Sequence, residues 1–127
     1  MSEQVPSELR YTSDHEWIRV EGEVAVVGIT DFAQDQLGDV VYVDLPAAGT
    51  DLEQGQAFGE VESTKSVSDL LAPVAGVVEE RNEALDDQPE LINSSPYGEG
   101  WLIKINVADP SQIEGLLDAD GYQGQLP

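Results

Sequence analysis

Lys65 is one of two lysines in a chain of 127 residues, and it sits at the centre of Glu62-Ser63-Thr64-Lys65-Ser66-Val67. This short polar tip separates two strand-like arms, Ala57 to Ser63 and Val67 to Leu71. A tight hairpin there turns the lysine outward, with few neighbours to crowd its amine. On so acidic a chain the amine stays protonated at neutral pH and is a weak nucleophile by itself. A Schiff-base lysine needs an apolar pocket or a second cation to shed its proton, and the sequence supplies neither. An exposed hairpin amine can instead accept a covalent group from another enzyme, and its long stem then becomes part of a swinging arm. The other lysine, Lys104, lies mid-strand on the polar side of an alternating run, where a solvated side chain is expected.

The elements that hold this tip read as short, β-branched strands punctuated by glycine and proline. Trp17 to Val20 and Val24 to Ile29 form a hairpin around Glu21-Gly22. Thr30 offers an N-cap hydroxyl, Asp31 suits a first helical turn and Gly38 can close it, which predicts a helix over Asp31–Leu37. Phe32, Ala33 and Leu37 are its expected inward residues. Val40 to Leu45 is a strand stopped by Pro46, and Val77 to Glu80 follows Gly76. Asp86 to Asn93 is expected to be one short helix. Trp101, Ile103, Ile105 and Val107 share one face of a strand. Asp109-Pro110 opens a last helix to about Asp118. Asp118-Ala119-Asp120-Gly121 resembles the start of a calcium loop but lacks its third acid and distal glutamate, and reads as a helix end and turn. Many short strands with peripheral helices favour a compact β-sandwich or flattened barrel. The whole chain, residues 1–127, is expected to be one domain with a core from about Leu9 to Asp118 and frayed termini.

Charge narrows the partners. Twenty-six acidic against five basic side chains give a net charge of −21. Phosphate backbones and anionic lipid surfaces repel such a chain, so neither nucleic acid nor membrane is an expected partner. A partner with a basic docking face is favoured. There are no cysteines and a single histidine, His15, which excludes disulfides and thiolate or histidine-rich metal sites. The N-terminal residues lack the apolar stretch of a signal peptide and the arginines of a transit peptide. The bacterial cytoplasm is the simplest location, or the mitochondrial matrix for a processed organellar form. A monomer is expected.

The stretch Gly59 to Gly76, centred on Glu62-Ser63-Thr64-Lys65, resembles the lipoylation hairpin of glycine cleavage system H-proteins. His15-Glu16-Trp17, Gly28-Ile29-Thr30-Asp31, Leu37-Gly38-Asp39-Val40-Val41 and Val43-Asp44-Leu45-Pro46 are similar to the same family. So are Leu91-Ile92-Asn93-Ser94-Ser95-Pro96-Tyr97 and Gly100-Trp101. The resemblance covers roughly Leu9 to Asp118 and implies a mainly β, lipoyl- or biotinyl-carrier-like sandwich. It implies a carrier and not an enzyme, with lipoate in amide linkage to Lys65. It also implies three enzyme partners. The pyridoxal-phosphate-dependent glycine decarboxylase loads an aminomethyl group, a tetrahydrofolate-dependent aminomethyltransferase removes it, and the FAD enzyme dihydrolipoyl dehydrogenase reoxidises the dithiol. Lipoylating enzymes are a further partner class, and Glu62 and Gly76 match positions they read. By the same resemblance the loaded arm folds into a cleft near the His-Glu-Trp segment. Glu16 is the candidate carboxylate there for the cationic amine, with Asp14 assisting. Relatives often carry histidines where this chain has Phe32 and Gln36, and Gln36 can donate a hydrogen bond but cannot become cationic. On residues alone, Gly76 is expected to support a turn with an unusual backbone angle.

Other carriers fit less well. Biotin carriers flank their lysine with methionines, and here the neighbours are Thr64 and Ser66. Lipoyl domains of 2-oxo acid dehydrogenases are shorter and lack the His-Glu-Trp opening, although a role in relaying lipoate to such complexes stays open. Carboxylate pairs occur by chance in a chain this acidic, and no nucleophile motif accompanies them.

Overall fold

The computed structural model describes residues 5–126. Its strands are β1 (Arg10–Tyr11), β2 (Glu16–Glu21), β3 (Val24–Ile29), β4 (Val40–Asp44), β5 (Asp51–Leu52), β6 (Ala57–Ser63), β7 (Val67–Leu71), β8 (Gly76–Arg81) and β9 (Ile103–Val107). The helices are short: α1 (Asp31–Leu37), α2 (Ala84–Asp87), α3 (Leu91–Ser94), α4 (Ser111–Glu114) and α5 (Ala119–Gln125). One antiparallel sheet has the order β1-β2-β3-β9-β8-β5 and the other β4-β6-β7. The two sheets make a sandwich, not a closed barrel.

Alternation along the strands sorts the core into two bodies. Ile18, Ala25 and Val27 face inward with Val43, Val61, Leu70, Val78, Ile103 and Ile105, filling the space between the sheets. Their neighbours Trp17 and Val26 face the other way and pack with Leu9, Tyr11 and Tyr122 in a second cluster. The ring of Trp17 lies directly over Gly28, where a Cβ would stand 2.5 Å from its Cζ2 atom. The Trp17 indole N–H donates to the Pro96 carbonyl at 2.9 Å. Position 28 must therefore be glycine for the indole to seat.

Several expectations are met to the residue. The N-cap hydroxyl of Thr30 accepts from the Ala33 N–H at 3.2 Å, and the helix it opens spans Asp31–Leu37 as read from the sequence. Others change. The single helix expected over Asp86 to Asn93 is two, α2 and α3, because Pro89 lies between them and lacks an N–H for a continuing ladder. The strand expected from Trp101 begins at Ile103, and the helix expected to reach Asp118 ends at Glu114. Asp118 does not end a helix. Its side chain accepts from the Gly121 N–H at 2.8 Å and caps α5, whose Tyr122 is fully buried and stacked on Tyr11 at 4.7 Å. Of the residues in α5, Tyr122 is the buried one, and it joins this helix to the second core cluster.

Candidate carrier hairpin and arm cleft

The β6–β7 hairpin is built by its own serines. Ser63 is buried, its N–H donates to the Ser66 carbonyl at 2.8 Å, and its hydroxyl accepts from the N–H of Lys65 at 3.3 Å and of Ser66 at 3.1 Å. The Thr64 N–H donates to the Asp39 carbonyl at 3.0 Å, which fastens the tip to the loop between α1 and β4. That loop is anchored in turn by Asn93 of α3, whose amide donates to the Gly38 carbonyl at 2.8 Å and accepts from the Val40 N–H at 2.8 Å. Ser63 and Asn93 were not singled out in the sequence. Serine and threonine flanking a turn were the available signal for Ser63, whereas Asn93 acts across 53 residues of chain.

On this pinned tip Lys65 is exposed. Among the described residues it makes no ion pair, and its stem passes over Gly38, with Cε 3.5 Å from where a Cβ would lie. Lys104 differs: its ammonium lies 3.8 Å from Glu80 and 5.0 Å over the Trp101 ring. One lysine is engaged and the other is presented.

Beside the tip a cleft of about 390 Å³ is lined by Asp14, His15 and Glu16 before and on β2, by Phe32, Ala33, Gln36 and Leu37 of α1, and by hairpin residues including Ser66 and Asp69. The structure therefore brings Glu16, Asp14 and Gln36 together next to Lys65, whose chain neighbour Ser66 lines the cleft. Asp14 and Gln36 are exposed. Phe32, expected to face inward, is half-buried and its ring lies 4.8 Å from that of His15, forming cleft wall instead of core. A second cleft, of about 360 Å³, shares Asp14 and Glu16 but touches neither the hairpin tip nor α1.

Glu16 is 3 % exposed, and both of its carboxylate oxygens are engaged. The Thr12 hydroxyl donates to Oε1 at 2.9 Å and the Leu71 N–H donates to Oε2 at 3.1 Å, tying β2 to the return arm of the hairpin. Burial raises its pKa from 4.5 to about 7, with those two hydrogen bonds opposing the rise and Asp14 adding to it.

Glu62 and Gly76 do not share a location. Glu62 is exposed on β6, with Tyr42 of β4 and Val67 of β7 as its cross-strand neighbours, the latter two each 57 % exposed. Gly76 is buried at the start of β8, in the other sheet. Its φ is not in the left-handed region, so the expected unusual backbone angle is absent. Glycine is required for a different reason: a Cβ would stand 2.1 Å from the Asn106 carbonyl oxygen on β9.

A β-sandwich that holds a lysine at an exposed hairpin tip, beside a cleft with a buried carboxylate, has the form of a carrier domain. Comparison with known proteins gives the particular kind. The family model described as "Glycine cleavage H-protein" matches residues 9–126. The chain is 58 % identical over 118 residues to the glycine cleavage system H protein of Bacteroides thetaiotaomicron, covering 93 % of this chain and 94 % of that one. It is 56 % identical to that of Symbiobacterium thermophilum, covering 93 % and 92 %. The crystal structure of a glycine cleavage system H protein from Mycobacterium marinum superposes with a TM-score of 0.88 at 43 % identity, covering 95 % of this chain and 98 % of that one. The chain belongs to the glycine cleavage H-protein family, the lipoyl carriers of that system, and is a carrier subunit and not a catalyst.

Proposed function

We propose that Lys65 is the lipoyl attachment site and that its loaded arm rests in the cleft bounded by α1, the His-Glu-Trp segment and the hairpin. The observation that carries this reading is the contrast between the two lysines: Lys65 stands exposed on a tip held by backbone and serine hydrogen bonds, whereas Lys104 is paired with Glu80. Attached lipoate supplies a disulfide, one sulfur of which takes an aminomethyl group while the other leaves as a thiol. The chain's own residues do the rest. The hairpin keeps the amide-linked stem at a fixed point, so the reacting sulfur has a high effective concentration near a docked enzyme. Acylation removes the lysine's positive charge and takes the net charge from −21 to −22.

Within the cleft, Glu16 is the carboxylate assigned to the aminomethyl cation, a reading supported by its place in the cleft lining. Its raised pKa means that near neutral pH a part of the population is protonated. An arriving cation favours the carboxylate, so docking of the loaded arm expels protons. Asp14 and Gln36 at the rim add a charge and a hydrogen-bond donor. Glu62, exposed beside the tip, supports recognition by the lipoylating enzymes. Gly76 is buried, which favours an indirect role: it allows β8 to lie against β9 and so preserves the fold those enzymes read.

The partners assigned by this reading are the pyridoxal-phosphate-dependent glycine decarboxylase, the tetrahydrofolate-dependent aminomethyltransferase and the FAD-containing dihydrolipoyl dehydrogenase. The protein acts as a monomer in the bacterial cytoplasm. Lipoylated protein is expected to turn over nothing alone and to restore glycine decarboxylation when the three enzymes are added. Lys65→Arg protein is expected to be inert in that mixture and Lys104→Arg protein active. Full activity of the Lys65→Arg protein would remove the assignment.

A further inference from the structure

His15 is the chain's one imidazole, and the structure connects it to a buried chain of hydroxyls that the carrier reading does not use. Thr30 and Tyr122 are both fully buried. The Thr30 Oγ1 lies 2.7 Å from the Tyr122 hydroxyl, and that hydroxyl lies 2.8 Å from His15 Nδ1. Donor accounting orients the chain. Thr30 Oγ1 already accepts from the Ala33 N–H as the cap of α1, and its own proton remains to be donated. Among the described residues the acceptor within reach is the Tyr122 oxygen. Tyr122, receiving that proton, can then give its own to Nδ1 of His15.

We propose that Tyr122 is a positioning residue that donates to Nδ1 of His15 and fixes the imidazole as its neutral Nε2–H tautomer, on the wall of the arm cleft. The inference rests on the reading of that cleft as the dock of a cationic cargo, because a second cation there would repel it. With a proton on Nδ1, Tyr122 can no longer donate to it, and the phenol oxygen must accept from the ring while its own proton loses that acceptor. Burial of the ring pushes its pKa below the ordinary histidine value, with Asp14 pulling the other way. The other groups on the cleft are Glu16 on the histidine's own segment, Asp69 from β7 and the uncharged Phe32 and Gln36 from α1. Tyr122 comes from α5, so the C-terminal helix, through one hydroxyl, sets the charge state of a residue beside the hairpin.

The test is nitrogen NMR of the His15 ring in the lipoate-free, full-length protein. Proton attachment at Nε2 with a bare Nδ1 is expected. A dominant Nδ1–H form would overturn the proposal, without need of any variant. Tyr122→Phe keeps the ring stacked on Tyr11 and removes only the hydroxyl. It is expected to raise the Nδ1–H to Nε2–H ratio about fivefold, the change that one lost hydrogen bond of ordinary net strength produces. Thr30→Ser keeps the hydroxyl and is expected to retain the wild-type ratio. An unchanged ratio in Tyr122→Phe, or a fivefold shift in Thr30→Ser, would overturn the proposal. These readouts are independent of lipoylation, so a bare Lys65 would count against the carrier reading while leaving the tautomer to be decided by its own spectrum.

Discussion

The ammonium of Lys65 is left in water, while the carboxylate of Glu16 is taken out of it and held by a hydroxyl and a backbone N–H. The cost of the second arrangement is expected to show in the pH dependence of stability. An unfolded glutamate titrates near 4.5 and folded Glu16 near 7, so between these values the native state keeps a proton that the unfolded state has lost. Stability must then fall as pH rises through that window. Replacing Glu16 by Gln removes the titration while leaving an oxygen to accept from Leu71. Relative to Glu16→Gln, the wild-type protein is expected to lose up to about 3 kcal/mol between about pH 5 and pH 8, read from urea unfolding. Parallel profiles would contradict the assignment of the burial cost to this carboxylate. Glu16 was legible as a candidate site residue only through its family position. Its burial was not, because acids are rarely buried and the donors that satisfy it lie at Thr12 and Leu71, the latter 55 residues away. Tyr122 was missed for a related reason: nothing local distinguishes an aromatic that will be buried by a helix capped at Asp118.

Strands of five or more residues announced themselves as β-branched runs bounded by glycine, proline or polar turns, and the hairpin arms Ala57–Ser63 and Val67–Leu71 carry the bounds expected of them. The two-residue strands β1 and β5 escaped notice because their pairing is imposed by a neighbour, β2 for one and β8 for the other. Gly76 shows how an element can mislead at a single position. Its residue type suggested a turn, yet it occupies a strand where two backbones approach closely. Gly76→Ala is expected to force β8 from β9 and to destabilise the fold by about 1–3 kcal/mol, measured by chemical denaturation. Loss of lipoylation in that variant should follow the unfolded fraction and be recovered by cooling to stabilising conditions. A fully stable Gly76→Ala protein that resists lipoylation would instead make the glycine a direct recognition point.

At the scale of the whole molecule, the sequence conveyed a mainly β sandwich but not which strands share a sheet. That order depends on long-range pairings such as β3 with β9, which no local pattern encodes. The charge was legible in full and has a kinetic consequence. A surface of net charge −21 should draw in partners with basic faces over distances that salt screens. Association with the aminomethyltransferase is expected to slow severalfold as ionic strength rises from about 50 to about 200 mM, while dissociation changes less. Association rates that stay flat across that range would leave the acidity as a matter of solubility alone.

The central claim concerns one amine, and intact-mass measurement of protein made in lipoylation-competent cells tests it most directly. The account predicts a single lipoyl addition, retained in Lys104→Arg and absent in Lys65→Arg. A lipoyl mass persisting on the Lys65→Arg protein, or a wild-type chain left bare in such cells, would contradict it.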